Sequence, residues 1–108
     1  MIIIREIEDK DIDNEFLDVL NNLVPPEIGD KEYAKSILQK IKSNSLHKIF
    51  VAVDDANNKI TGTTTLFIEQ KFINEGMKVG YIEDVAVSKD YEGSGIGSKL
   101  VTYAIKRR

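Results

Sequence analysis

Apolar positions crowd the start of the chain, where Ile2, Ile3, Ile4 and Ile7 predict a strand over 2–7. Ile12, Phe16, Leu17, Leu20 and Leu23 then recur at intervals of three and four, the stripe of a helix, with Asp11 or Asp13 placed to cap it. Pro25-Pro26 ends that helix, because proline donates no hydrogen bond and restricts the residue before it. Asp30 is the expected cap of a second helix through Tyr33, Ala34, Ile37, Leu38 and Ile41. The β-branched and aromatic run His47–Val53 predicts a strand, Asp54–Asn58 a turn, and Ile60–Gln70 a long threonine- and isoleucine-rich strand. After a turn at Glu75-Gly76, alternation through Tyr81, Ile82, Val85, Ala86 and Val87 marks a strand ending near Ser88. Helical spacing returns with Ile96, Leu100, Val101, Ala104 and Ile105.

The predicted order is therefore β-α-α-β-β-β-α, an α/β (α+β) fold with an antiparallel meander of three strands. The last helix is placed to begin a crossover to a parallel strand, which residues 1–108 do not include. The chain is expected to be a single, partial domain spanning 1–108, truncated after that helix. A net charge of −3 disfavours nucleic acid and anionic membrane as partners. No apolar run approaches the roughly 18 residues that span a bilayer, and the N-terminus lacks the pattern of a signal peptide. With no cysteine and one histidine, His47, neither a thiolate nucleophile nor a metal site is expected. A cytoplasmic location follows as the default expectation.

Candidate chemistry concentrates in residues 80–100. Glu83 and Asp84 interrupt an apolar strand, where charge is costly unless paired or used. Adjacent strand residues point to opposite faces unless a bulge intervenes. Gly93, Gly95 and Gly97 then clear side chains from a run of backbone amides that opens a helix. Free amides and the helix dipole converge there, so the loop is a candidate anion site. It is not a P-loop, because Ser98 stands where the second glycine is required, nor does its glycine spacing fit the dinucleotide fingerprint. Acid groups beside an anion cradle suggest an enzyme that uses a phosphate-bearing cofactor.

The loop Glu92-Gly-Ser-Gly-Ile-Gly97 resembles the [Q/R]-x-x-G-x-[G/A] signature of the GNAT superfamily of acetyltransferases, with glutamate at its first position. The run GYIEDVAV, preceded by TTTLFIEQKFINEG, further resembles the branch of that superfamily that acetylates glucosamine 6-phosphate. The resemblance implies a GNAT-like acyl-CoA N-acyltransferase fold, whose mixed sheet is splayed between its fourth and fifth strands. It implies acetyl-CoA as cosubstrate, held by Glu92, Gly93, Ser94, Gly95, Ile96 and Gly97 and by the backbone of Val85, Ala86 and Val87. It places Glu83 and Asp84 at the acceptor amine as catalytic candidates, with Val85 beside them. Lys71, Phe72, Ile73 and Asn74 would border the sugar phosphate, and no metal is involved. A homodimer is implied, with the long strand 60–70 and its hairpin near the interface. A tyrosine that protonates the leaving thiolate belongs to a part of the family fold beyond these residues. Two other functions remain open: a non-catalytic acyl-CoA-binding or dimerising module, and a GNAT enzyme for another small amine.

Overall fold

A computed structural model describes residues 1–21, 23 and 30–107. Four strands, β1 (Ile2–Glu6), β2 (His47–Asp54), β3 (Lys59–Gln70) and β4 (Lys78–Val87), form one sheet in the order β1-β2-β3-β4, every neighbouring pair antiparallel. The helices are α1 (Phe16–Leu20), α2 (Lys31–Lys42), the single turn α3 (Ile73–Gly76) and α4 (Ile96–Arg107). Short 3-10 turns occupy Asp9–Asp13 and Lys89–Tyr91. The predicted order and the antiparallel meander are present.

The helices cover both faces of the sheet. Phe16 and Val19 of α1 and Ala34 and Leu38 of α2 pack with Ile49, Val51 and Val53 of β2. On the other face Ile96, Leu100 and Ala104 of α4 meet Ala52, Phe50 and Leu66. The buried hydroxyls of β3 are satisfied across the ladder: Thr61 donates to the Ala52 carbonyl and Thr63 to that of Phe50. A threonine-rich strand therefore occupies the centre of the sheet without leaving polar atoms orphaned.

The N-terminal half corrects two expectations. The 12–23 stripe is not one helix, because Glu15 adopts φ 70 and separates the 3-10 turn from α1. Asp11 does not cap that helix. It is fully buried, takes two hydrogen bonds from the Arg5 guanidinium at 2.8 and 2.9 Å, and accepts from the Glu8 amide at 2.8 Å. The same carboxylate raises the pKa of Arg5 through its hydrogen bond. Asp30 caps α2 as predicted, accepting from the amides of Glu32 and Tyr33. The Pro25-Pro26 stop lies outside the described residues.

Candidate active site

The central feature is a bulge in β4. Thr65 pairs with Glu83 and Thr63 with Ala86, so Thr64 opposes both Asp84 and Val85. Asp84 takes the left-handed conformation, φ 53, and the Thr64 hydroxyl holds the distortion by donating to the Glu83 carbonyl at 3.1 Å. Cross-strand partners share a face, so Glu83 lies on the side of Thr65. Asp84 joins it there, bordering the same pocket as Thr65. The bulge thus brings together two carboxylates that a regular strand would divide. Both are exposed, so the charge is not buried inside the strand as the apolar flanks suggested. The reason is that β4 is the last strand of the described sheet, with β3 on one side only.

Beyond β4 the chain is fastened before it reaches the glycines. The Ser88 amide donates to the Thr61 carbonyl at 2.8 Å, and the Tyr91 hydroxyl donates to Asp54 at 2.7 Å. That hydroxyl, followed by the Ala56 amide, holds the Asp54 carboxyl below its ordinary value. Gly93 and Gly95 adopt φ 80 and 85, and a β-carbon at either would meet no protein atom within 4 Å. Glycine is needed at these two positions for backbone conformation, and the space above them is open. The first α4 bond runs from the Lys99 amide to the Gly95 carbonyl at 3.1 Å. Helix geometry gives the preceding amides of Ile96, Gly97 and Ser98 no partner within α4. The Ile96 side chain is buried, so this residue of the expected cofactor set offers only its backbone. At Gly97 a β-carbon would lie 3.8 Å from Val85 and Val87, which places the helix start directly over that part of β4. The open space, the positive φ angles and the clustered amides fit a diphosphate group.

Lys71, Phe72, Ile73 and Asn74 lie elsewhere. They occupy the far end of the β3–β4 hairpin, about 20 Å along the strand from Thr65 at roughly 3.3 Å per residue. Phe72 is fully exposed and Ile73 is 64% exposed. Lys71 pairs with Glu69 at 3.2 Å, and the Tyr81 hydroxyl donates to the same carboxylate at 3.0 Å. Tyr81, then Lys71, hold Glu69 below its ordinary value, while Glu69 raises the Tyr81 phenol. The chain therefore does not bring this hairpin to its own Glu83 and Asp84. Tyr103 packs edge-on to Phe50 at 5.1 Å, beneath Arg107. His47 starts β2 edge-on to Phe67.

Sequence reasoning missed Gly62 and the Tyr91–Asp54 tie. A β-carbon on Gly62 would come within 3.0 Å of both Ile96 and Leu100, so α4 is seated against the backbone of β3. The glycine inside a strand pattern was the available signal, since it marks a close approach. Nothing local in the sequence pairs Tyr91 with Asp54.

The acetyltransferase (GNAT) family model matches residues 12–107. Glucosamine 6-phosphate N-acetyltransferase 1 of Dictyostelium discoideum is 30% identical over 97 residues, covering 90% of this chain and 62% of that protein. A probable glucosamine 6-phosphate N-acetyltransferase 2 of Oryza sativa subsp. japonica is 35% identical over 101 residues, covering 91% and 61%. The chain thus spans about three-fifths of the length of these curated relatives. The crystal structure of glucosamine-6-phosphate N-acetyltransferase from Arabidopsis thaliana superposes with a TM-score of 0.91 at 29% identity, over 98% of this chain and 73% of that one. A predicted acetyltransferase from Clostridium acetobutylicum, solved with acetyl-CoA, shares the fold with a TM-score of 0.72 at 18% identity, over 99% and 73%. With the bulged strand, the glycine loop and the helix it opens all inside the matched region, this chain belongs to the GNAT acetyltransferase family.

Proposed function

We propose that the protein is an acetyl-CoA-dependent N-acetyltransferase whose acceptor is the amine of glucosamine 6-phosphate. The observation that carries this reading is the bulge that gathers Glu83 and Asp84 on one face, one residue before the Val85–Val87 segment over which the glycine loop and α4 begin. The names of the relatives at 30 and 35% identity support the acceptor.

Each part has a separate task. The amides of Ile96, Gly97 and Ser98, beside the open backbone at Gly93 and Gly95, hold the diphosphate of the cosubstrate, while the Ser94 amide stays on the Tyr91 carbonyl at 3.3 Å. The backbone of Val85, Ala86 and Val87 orients its pantetheine arm as an added strand would be oriented. When bound, acetyl-CoA supplies a thioester whose carbonyl carbon takes the amine nitrogen as the carbon–sulfur bond breaks. Glu83 and Asp84 attract the ammonium form of the acceptor, fix it beside that edge and accept its proton, directly or through water. The two carboxylates act as a pair in this reading, with the base unassigned between them. The hairpin Lys71–Asn74 reaches the sugar phosphate from a second protomer, since it is far from the carboxylates of its own.

A second reading, a GNAT enzyme for another small amine, is favoured by the Lys71–Glu69 pair, which already engages the cation meant for the phosphate. Coenzyme A release from the purified protein, measured with glucosamine 6-phosphate, a polyamine and a peptide amine in competition, separates the two. Release dependent on glucosamine 6-phosphate is expected, and Glu83→Gln should lower it by about 100-fold or more, the usual span for an acid–base group. Turnover only with another amine establishes the second reading. Acetyl-CoA binding without turnover would establish the non-catalytic module.

A further inference from the structure

An apolar hollow lies under α1 and α2, against β2 and β3. It encloses about 210 Å³ between Phe16, Leu17, Ala34, Leu38, Ile49 and Thr65. Among the described residues, Asp84 and His47 are the titratable groups in its wall, and no lysine or arginine borders it. The Thr63 hydroxyl in its wall is already engaged with the Phe50 carbonyl at 3.0 Å. A phosphate or a sugar finds few partners in such a wall, whereas a hydrocarbon loses nothing by entering it. Asp84 lines the pocket and immediately precedes Val85–Val87, so one wall of the pocket adjoins the strand segment assigned to the cosubstrate.

We infer that this pocket receives the acyl chain of the donor, and that the protein accepts acyl-CoA thioesters of about six carbons as well as acetyl-CoA. The inference rests on the transferase reading above and deepens its donor side. Size agrees, since an apolar cavity of roughly 150 Å³ holds a six-carbon ring. The chemistry is unchanged: the amine nitrogen bonds to the carbonyl carbon, the carbon–sulfur bond breaks, the nitrogen's proton passes to a carboxylate, and the thiolate leaves and is protonated by water. Only the part of the acyl group that does not react enters the pocket.

Calorimetric titration with coenzyme A, acetyl-CoA and hexanoyl-CoA tests this. Each buried methylene strengthens binding about fourfold, so hexanoyl-CoA is expected to bind at least about tenfold tighter than acetyl-CoA after incomplete burial is allowed for. Equal or weaker binding of hexanoyl-CoA, with coenzyme A still bound, overturns the pocket and leaves the transferase reading standing. Failure of all three to bind overturns both. Ala34→Leu, which fills the wall of α2, should erase the hexanoyl advantage without changing acetyl-CoA affinity. Should that variant melt at room temperature, Ile37→Phe at the half-buried rim makes the same test. A hexanoyl advantage that survives in either folded variant overturns the assignment.

Discussion

Tyr91 and Asp54 lie far apart in sequence, yet their 2.7 Å hydrogen bond ties the turn before the glycine loop to the turn between β2 and β3. The loop's two left-handed glycines have no side chains to anchor it, and the Ser94 amide bonds back to the Tyr91 carbonyl, so the loop's position depends on what fixes Tyr91. Tyr91→Phe removes the tie at almost no change in volume and should weaken coenzyme A binding while leaving the sheet intact. The pH dependence follows from the lowered pKa of Asp54. A carboxylate whose folded value lies below the usual 3.8 contributes stability above that range and loses it as pH falls through the folded value. The stability gap between the wild type and Tyr91→Phe should therefore be constant from neutrality to about pH 5 and close below about pH 4. Denaturant titrations of both proteins across that window measure it, and a gap that persists at pH 2 would mean the hydroxyl acts through some other contact.

At the scale of elements, α4 is held by apolar burial and by one close approach. Ile96, Leu100 and Ala104 are almost fully buried, and Gly62 lets the first two touch the backbone of β3. Gly62→Val forces three contacts at 3.0–3.2 Å to open and should cost about 1–3 kcal/mol, the usual penalty of overpacking. Because α4 carries the loop amides, coenzyme A affinity should fall with it. A urea midpoint and a binding titration unchanged from the wild type would show that the helix has slack. The strands and α4 were legible from the sequence because each satisfies a single period over many residues. The segment 8–20 was not, because its apolar stripe is helical while Glu15 breaks the backbone locally and Arg5 draws Asp11 inward. The glycine loop and the two carboxylates were legible as residue types. Their geometry was not: the bulge depends on how β3 opposes β4, and no local pattern reports a register shift.

For the whole molecule the separation of the hairpin from Glu83 decides how a complete site is assembled. If the acceptor phosphate is bound by Lys71, a partner chain must bring it, and the exposed Phe72 and Ile73 supply apolar area for that contact. Two variants, Glu83→Gln and Lys71→Ala, should each be weakly active alone and should regain about a quarter of wild-type activity when unfolded and refolded together, as expected when half the dimers are mixed and each mixed dimer has one intact site. No recovery in the mixture would place the whole site in one protomer. The order of the sheet also has a bearing on how the chain folds. β2, β3 and β4 are neighbours in sequence as well as in space, so two hairpins can zip from local encounters. β1 must instead wait for the whole stretch between Glu6 and His47 to be drawn into a loop, at an entropic cost that grows with loop length. The meander that carries the bulge and opens toward the glycine loop thus has the kinetic advantage. The strand nearest the N-terminus, though made first by the ribosome, is the natural last piece to dock.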